Sequence, residues 1–219
     1  MNTALVTGAN RGIGLELARQ LHAAGWTVIG VCRTSTPALE AIAEVWDGLD
    51  VADDGVVDAV RARLGDRPIQ LLINNAGILR RQALPDLDWD GMRQQFEVNT
   101  LGPLRVTSAA LPNLQSGSKV AIVTSRMGSI DDNTSGSHYG YRMSKAAVNI
   151  AGVSLARDLE RRGIAVILLH PGHVRTEMTR GSGQVDAATA ARGLLARIDE
   201  LDLASTGTFR HAQGQALPW

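Results

Sequence analysis

Short, uninterrupted apolar runs alternate along this chain with longer stretches whose apolar residues recur every three or four positions. Thr3–Val6 (TALV), Thr27–Val31 (TVIGV), Ile69–Ile73 (IQLLI), Lys119–Thr124 (KVAIVT) and Ile164–Leu169 (IAVILL) read as buried strands. Val45–Leu49 reads as a weaker strand and Gly207–Arg210 as a short last one. Between them, Gly12–Ala24 predicts a helix with Ile13, Leu17 and Leu21 on its apolar side. Pro37–Ala43 suits a short helix with Pro37 in its first turn. Asp53–Leu64 opens with two acids, which favour the positive end of a helix. Asp88–Ala110 reads as one long helix ending before Pro112. Tyr139–Arg162 is a second long helix, stopped at Gly163, and Asp186–Leu201 is a last one. Strands that are apolar throughout are covered on both faces, so this alternation predicts a parallel sheet between two layers of helices.

Composition narrows the class without naming it. The 219 residues match one domain spanning 1–219, and a chain of this size buries roughly 70–75% of its unfolded surface, enough to fold without disulfides or a structural metal. Cys32 is the only cysteine, which excludes an intrachain disulfide and any cysteine cage for a metal. Lys and Arg number 22 against 22 Asp and Glu, so neither nucleic acid nor an anionic membrane is an expected partner. No apolar run approaches the roughly 18 residues of a membrane span. Met1-Asn2-Thr3 leads straight into a strand with no basic stretch, so no signal peptide is expected and a cytoplasmic location is.

The first strand runs into Thr7-Gly8-Ala9-Asn10-Arg11-Gly12-Ile13-Gly14, which opens the first helix. Glycines between a strand and a helix let the backbone turn tightly and approach a pyrophosphate, held there by the helix N-terminus. The second strand ends Val31-Cys32-Arg33. An acid at that edge would bind ribose hydroxyls and repel a 2′-phosphate. Cys32 is not acidic, and Arg33 and Arg11 offer two guanidiniums for charge-assisted bonds to such a phosphate. NADP(H) is therefore the expected cofactor, with NAD(H) the alternative. The plainer reading leaves both arginines as solvated surface charges.

A second constellation lies further on. Tyr141-Arg142-Met143-Ser144-Lys145 places a phenol and an ammonium four residues apart on one helix face, where a cation favours phenolate. Tyr139 has no lysine four residues on and is set aside. Ser125 follows a strand, at the carboxyl edge where doubly wound sheets bind ligands. Asn74-Asn75-Ala76-Gly77 and Pro171-Gly172-His173-Val174-Arg175-Thr176 follow two more strands. Asn99, within a long helix, is costly there unless its amide is hydrogen-bonded.

Together TGANRGIG, NNAG, VNT, Ser125, YRMSK and PGHVRT, in this order from Thr7 to Thr176, resemble the short-chain dehydrogenase/reductase family. Gly128-Ser129-Ile130, the YGYRMSKAA stretch and the ending Leu217-Pro218-Trp219 are similar to its sniffer-like carbonyl reductase and C-factor-like subgroup. The resemblance implies a Rossmann-type, seven-stranded parallel sheet of order 3-2-1-4-5-6-7. It implies a catalytic tetrad of Asn99, Ser125, Tyr141 and Lys145. Tyr141 would exchange a proton with the substrate oxygen and Ser125 would hydrogen-bond that oxygen. Lys145 would bind the nicotinamide ribose and lower the Tyr141 pKa, and Asn99 would hold a relay water. Cofactor contacts would come from Gly8, Asn10, Arg11, Gly12, Ile13, Gly14 and Arg33, from Asp50 and Val51 near the adenine, and from Asn75, Ala76 and Gly77. Tyr141, Lys145, Pro171, Gly172, Val174 and Thr176 would complete the nicotinamide side. No metal is implied.

The expected function is NADPH-dependent reduction of a small-molecule carbonyl to an alcohol, or the reverse. The alternative is a dinucleotide-binding signalling or sensor protein with little turnover. No G-x-S-x-G elbow supports a serine hydrolase, and His170 and His173 lack a third ligand at metal spacing. Thr179–Gln184, within a substrate-loop region of about 176–190, is Gly/Ser-rich and reads either as a surface loop or as a lid. Arg126 and His173 depart from the family pattern and are candidates for a polar edge of the substrate pocket. The chain ends soon after its last strand, so little of it is expected to cover the substrate side. Small residues Ala146, Ala147, Ala151 and Gly152 lie on a helix surface that the resemblance implies pairs across a two-fold axis, so a homo-oligomer, dimer or tetramer, is expected.

Overall fold

The structure is a computed structural model that describes residues 2–219. Its strands are β1 (Thr3–Thr7), β2 (Thr27–Val31), β3 (Glu44–Trp46), β4 (Ile69–Asn74), β5 (Leu114–Val123), β6 (Ala165–His170) and β7 (Thr208–His211). They form one parallel sheet in the order β3-β2-β1-β4-β5-β6-β7. Its helices are α1 (Gly12–Ala23), α2 (Pro37–Glu40), α3 (Val56–Leu64), α4 (Trp89–Phe96), α5 (Gly102–Ala110), α6 (Tyr139–Glu160) and α7 (Ala187–Glu200). Successive strand residues point to opposite faces and fill two cores. Leu5, Ile29, Leu72, Val120 and Val166 meet α3, α5 and α6, while Ala4, Val6, Val28, Ile73 and Ile167 meet α1 and α7. This is the two-sided burial that the all-apolar strands imply.

Three elements depart from the sequence reading. The single helix expected over Asp88–Ala110 is α4 and α5 joined by a π-helical turn, Glu97–Leu101. Pro103 lacks the N–H that would bond the Asn99 carbonyl in an α-helix, and the Gly102 N–H bonds five residues back to Glu97. The strand expected to begin at Lys119 starts at Leu114, and its register with β4 shifts between Ile69 and Leu71. Ser118 stabilises that irregularity by donating to the Ile69 carbonyl, 2.7 Å away. Gly152 is not part of an outer small-residue surface. It faces the sheet, where a Cβ would lie 2.8 Å from Leu168.

The chain after β7 folds back instead of trailing off. Ala216 bridges Arg210 in antiparallel fashion, and the Trp219 ring stacks on Phe209 with centroids 5.4 Å apart. The Trp219 carbonyl accepts from Ser129 Oγ and from the Ile130 and Asp131 N–H groups. The last residues therefore brace the loop after Ser125.

Candidate active site

At the carboxyl edge of the sheet, the β1–α1 turn forms one wall of a cleft of about 600 Å³. Gly8 and Gly12 have φ of +64° and +55°, conformations that L side chains rarely adopt. A Cβ on Gly8 would lie 2.9 Å from Ala76 Cα, so the turn and the segment after β4 pack backbone to backbone. Thr7 and Asn75 lock that contact. Thr7 Oγ1 accepts from the Asn75 and Ala76 N–H groups at 3.0 Å each, and Asn75 Nδ2 donates to the Thr7 and Gly8 carbonyls. The result is a bare peptide ledge at a helix N-terminus, the shape and polarity that suit a pyrophosphate. The residues present thus fit a dinucleotide.

Gly8, Asn10, Arg11, Gly12, Ile13, Gly14, Arg33, Asp50, Val51, Asn75, Ala76, Gly77, Tyr141, Lys145, Pro171 and Thr176 all line this cleft. Val174 lies elsewhere: it is buried and bridges Val185. Gly172 sits against His211. Leu49, Ile78, Glu177 and Met178 also line the cleft, although no sequence pattern singled them out, and so does Val98 of the VNT motif. Arg11 pairs with Glu177, and Arg33 lies 3.7 Å from Asp50. Both guanidiniums stand exposed at the mouth of the cleft with carboxylate partners.

Tyr141 and Lys145 lie at the opposite end, on the first turns of α6. Tyr141 is 8% exposed against 36% for Tyr139. Burial raises the Tyr141 pKa above that of an ordinary phenol, and hydrogen bonding to the Ser125 hydroxyl pulls it partly back. The Lys145 ammonium donates to the Val123 carbonyl at 3.0 Å, and burial pushes its pKa down to about 8. Ser125 caps a short 3₁₀ turn, Arg126–Gly128, accepting from the Met127 N–H at 3.1 Å. That turn lies directly on α6, because a Cβ on Gly128 would come within 2.6 Å of the Lys145 carbonyl carbon. Ser125, Tyr141 and Lys145 are thereby brought together from a strand end and a helix start.

Asn99 occupies the π-helical turn and is 1% exposed. Its Oδ1 accepts from the Ile78 N–H at 2.8 Å, and its Nδ2 donates to the Ile78 carbonyl and to Ser144 Oγ. Ser144 donates in turn to the Tyr141 carbonyl, and Thr100 donates to the Ser144 carbonyl. The Asn99 side chain therefore ties the strand exit to the tyrosine helix. Ser144 and Thr100 carried no separate signal in the sequence, although Ser144 lies inside YRMSK and Thr100 inside VNT.

Arg126 pairs with Asp132 at 2.6 Å, and His173 is exposed beside Ser182. His170 is edge-to-face with His211, with ring centroids 5.1 Å apart, and burial, then His211, pushes its pKa down to about 3. No cluster of three His, Cys, Asp or Glu residues suited to a metal occurs among the described residues. The 179–184 loop is tied down by Thr179, which accepts from the Thr176 N–H, and by Gln184, which donates to the His173 carbonyl. No helix among the described residues is long and apolar enough to cross a membrane.

The model of the short chain dehydrogenase family matches residues 2–186. The chain belongs to the short-chain dehydrogenases. This short-chain dehydrogenase is 42% identical over 226 residues to the 1-hydroxy-2-glutathionyl-2-methyl-3-butene dehydrogenase of Rhodococcus sp. strain AD45, covering all of both chains. It is 48% identical over 155 residues to the C-signal of Myxococcus xanthus, covering 69% of this chain and 93% of that one. Among solved structures it is similar to the NADPH-bound carbonyl reductase from chicken fatty liver, with a TM-score of 0.91 and 29% identity over 100% and 99% of the two chains. The carbonyl reductase Sniffer of D. melanogaster gives a TM-score of 0.88 and 28% identity over both full chains. The short-chain dehydrogenase described here is an oxidoreductase of that family.

Proposed function

We propose that the protein reduces a small carbonyl compound to an alcohol with NADPH, using Tyr141 as the proton donor. The observation that carries this reading is the burial of Tyr141 and Lys145, with Ser125 beside them, at the end of a glycine-floored dinucleotide cleft. When bound, the reduced nicotinamide supplies the hydride. The chain supplies position and charge. Burial keeps the Tyr141 phenol protonated, which is the form needed to donate to an oxygen gaining negative charge. Ser125 steadies the phenol and donates to the same oxygen. Lys145 gives one N–H to Val123, and its remaining donors face the cleft, where ribose hydroxyls can accept them. Asn99 holds the strand exit and the tyrosine helix in register. Arg11 and Arg33 at the other end support a preference for a 2′-phosphate, exchanging Glu177 and Asp50 for the phosphate oxygens.

The name of the Rhodococcus relative describes the reverse direction, on a glutathionyl alcohol. The likeness to C-signal keeps a signalling role as the second reading, which the buried Tyr141 and Lys145 disfavour. Exposed apolar pairs two helical turns apart, Trp89 with Phe96 and Met143 with Ile150, support a homo-oligomer formed through α4 and α6. The deciding experiment is an NADPH-oxidation screen over aldehydes, diketones and quinones with wild type and Tyr141→Phe. Turnover in wild type, lost in the variant while NADPH binding persists, is expected. Tight NADPH binding with no substrate turned over favours the sensor, and substantial turnover in Tyr141→Phe overturns the proton-donor role.

A further inference from the structure

α6 begins without a cap of its own. Its N-cap residue, His138, is left-handed (φ 54°) and makes no side-chain capping bond. The first N–H groups of a helix need partners from elsewhere. Here the partner comes from the segment after β4. Gln82 Oε1 accepts from the Gly140 N–H at 2.9 Å, and the Gln82 carbonyl accepts from the His138 N–H at 2.7 Å. Gln82 is 5% exposed, and its Nε2 donates to the Asp88 carbonyl at 3.1 Å. Gln95, fully buried, donates to Gln82 Oε1 at 3.5 Å and accepts from the Arg80 N–H at 2.8 Å.

The spacing explains the arrangement. Gln95 and Asn99 are four residues apart, so one follows the other along a helix face. Their backbone partners, Arg80 and Ile78, are two residues apart on extended chain. Four helical residues rise about 6 Å and two extended residues about 6.6 Å, so the two ladders match. Gln95 is thus a second amide rung, one turn before Asn99. Space for it exists because residue 140 is glycine: a Cβ there would lie 2.6 Å from Gln95 Nε2 and 2.8 Å from Gln82 Oε1.

We propose that Gln82, backed by Gln95, caps α6 from across the site and is a positioning residue for Tyr141, the next residue after Gly140. This rests on the reading of Tyr141 as proton donor. Asn99 and Thr100 fix the helix at Ser144, and Gln82 fixes it on the other side of the phenol. Without the cap the first turn frays, and Tyr141 moves relative to Ser125 and Lys145.

The test compares Gln82→Met, Gln82→Glu and Tyr141→Phe in the full chain, with NADPH and 4-nitrobenzaldehyde as the probe carbonyl, at pH 6. A shift of the phenol by about 1 Å predicts a kcat on the order of 10 to 100 times lower in Gln82→Met. Its KM for NADPH should stay within about twofold, since the glycine ledge is untouched. Gln82→Glu keeps an oxygen acceptor for the Gly140 N–H at the helix N-terminus and loses only the donor to the Asp88 carbonyl, so the variant should recover part of kcat. Full kcat in Gln82→Met, or Gln82→Glu as impaired as Gln82→Met, overturns the proposal. If Gln82→Met does not fold, Gln95→Leu reads the next link. There, lower kcat at unchanged NADPH KM supports the proposal and unchanged kcat overturns it. Turnover surviving in Tyr141→Phe overturns the proton-donor reading itself. A dead Tyr141→Phe beside a fully active Gln82→Met overturns the cap alone.

Discussion

Lys145→Met should inactivate the enzyme and stabilise the empty protein. Lys145 is 4% exposed, with a single protein acceptor, the Val123 carbonyl. Burial lowers its pKa from 10.5 to about 8, a fall of about 2.5. At about 1.4 kcal/mol per pKa unit, keeping the ammonium charged in the fold costs about 3.5 kcal/mol at neutral pH. Methionine has a similar reach and carries no charge, but it strands the Val123 carbonyl at a cost of about 1 kcal/mol. The net gain is about 2.5 kcal/mol, which raises Tm by roughly 5–10 °C for a chain of this size. The sign follows from linkage. The folded pKa lies below the unfolded one, so the penalty is complete below pH 8 and fades as pH rises from about 8 to 10.5. Thermal melts of both proteins from pH 7 to 10.5 should show the advantage of the variant shrinking over that window. Saturating NADPH should reverse the order, because only wild type offers its ribose an ammonium. A variant that melts below wild type at pH 7, or a difference that ignores pH, would refute the reasoning.

Three further outcomes follow from the same geometry. Gly14→Ala gains about 1 kcal/mol of helix propensity. The new methyl, however, meets the Gly8 carbonyl oxygen and comes within 2.5 Å of Asn75 Nδ2. Overpacking of about 1–3 kcal/mol or more should win, lowering Tm and weakening NADPH binding in titration. Asp88→Ala removes the cap of α4, a 2.9 Å bond from the Gly91 N–H, and should cost about 1 kcal/mol, read as a Tm lower by roughly 2–4 °C. The Arg11→Ala, Arg33→Ala double variant should lose affinity for NADPH by about tenfold or more and leave NADH nearly unchanged. Equal losses for both cofactors would contradict the 2′-phosphate reading.

Much of the fold was legible because it depends on local pattern. Apolar runs at Leu71–Ile73 and Val166–Leu169 are too short for helices and read as strands covered on both faces, and the glycine turn needs the positive φ that Gly8 and Gly12 adopt. The four-residue spacing of Tyr141 and Lys145 fixes a shared helix face wherever α6 lies. The π-helical turn was hidden, although its cause, Pro103 four residues after Asn99, is in plain view. A missing N–H does not say how a buried helix will absorb it.

What the sequence by itself determined is therefore the alternation of strands and helices, the order of the motifs and the chemistry each could carry. Tertiary structure decided which polar groups satisfy one another across the chain. Gln82 and Gln95 resemble any surface glutamines until Arg80 and Gly140 are brought beside them. Burial sets the state of Tyr141 and Lys145 against the simpler expectation that a neighbouring cation lowers the phenol. Desolvation and hydrogen-bond satisfaction are properties of the packed interior, summed over residues distant in sequence, and no local pattern encodes them.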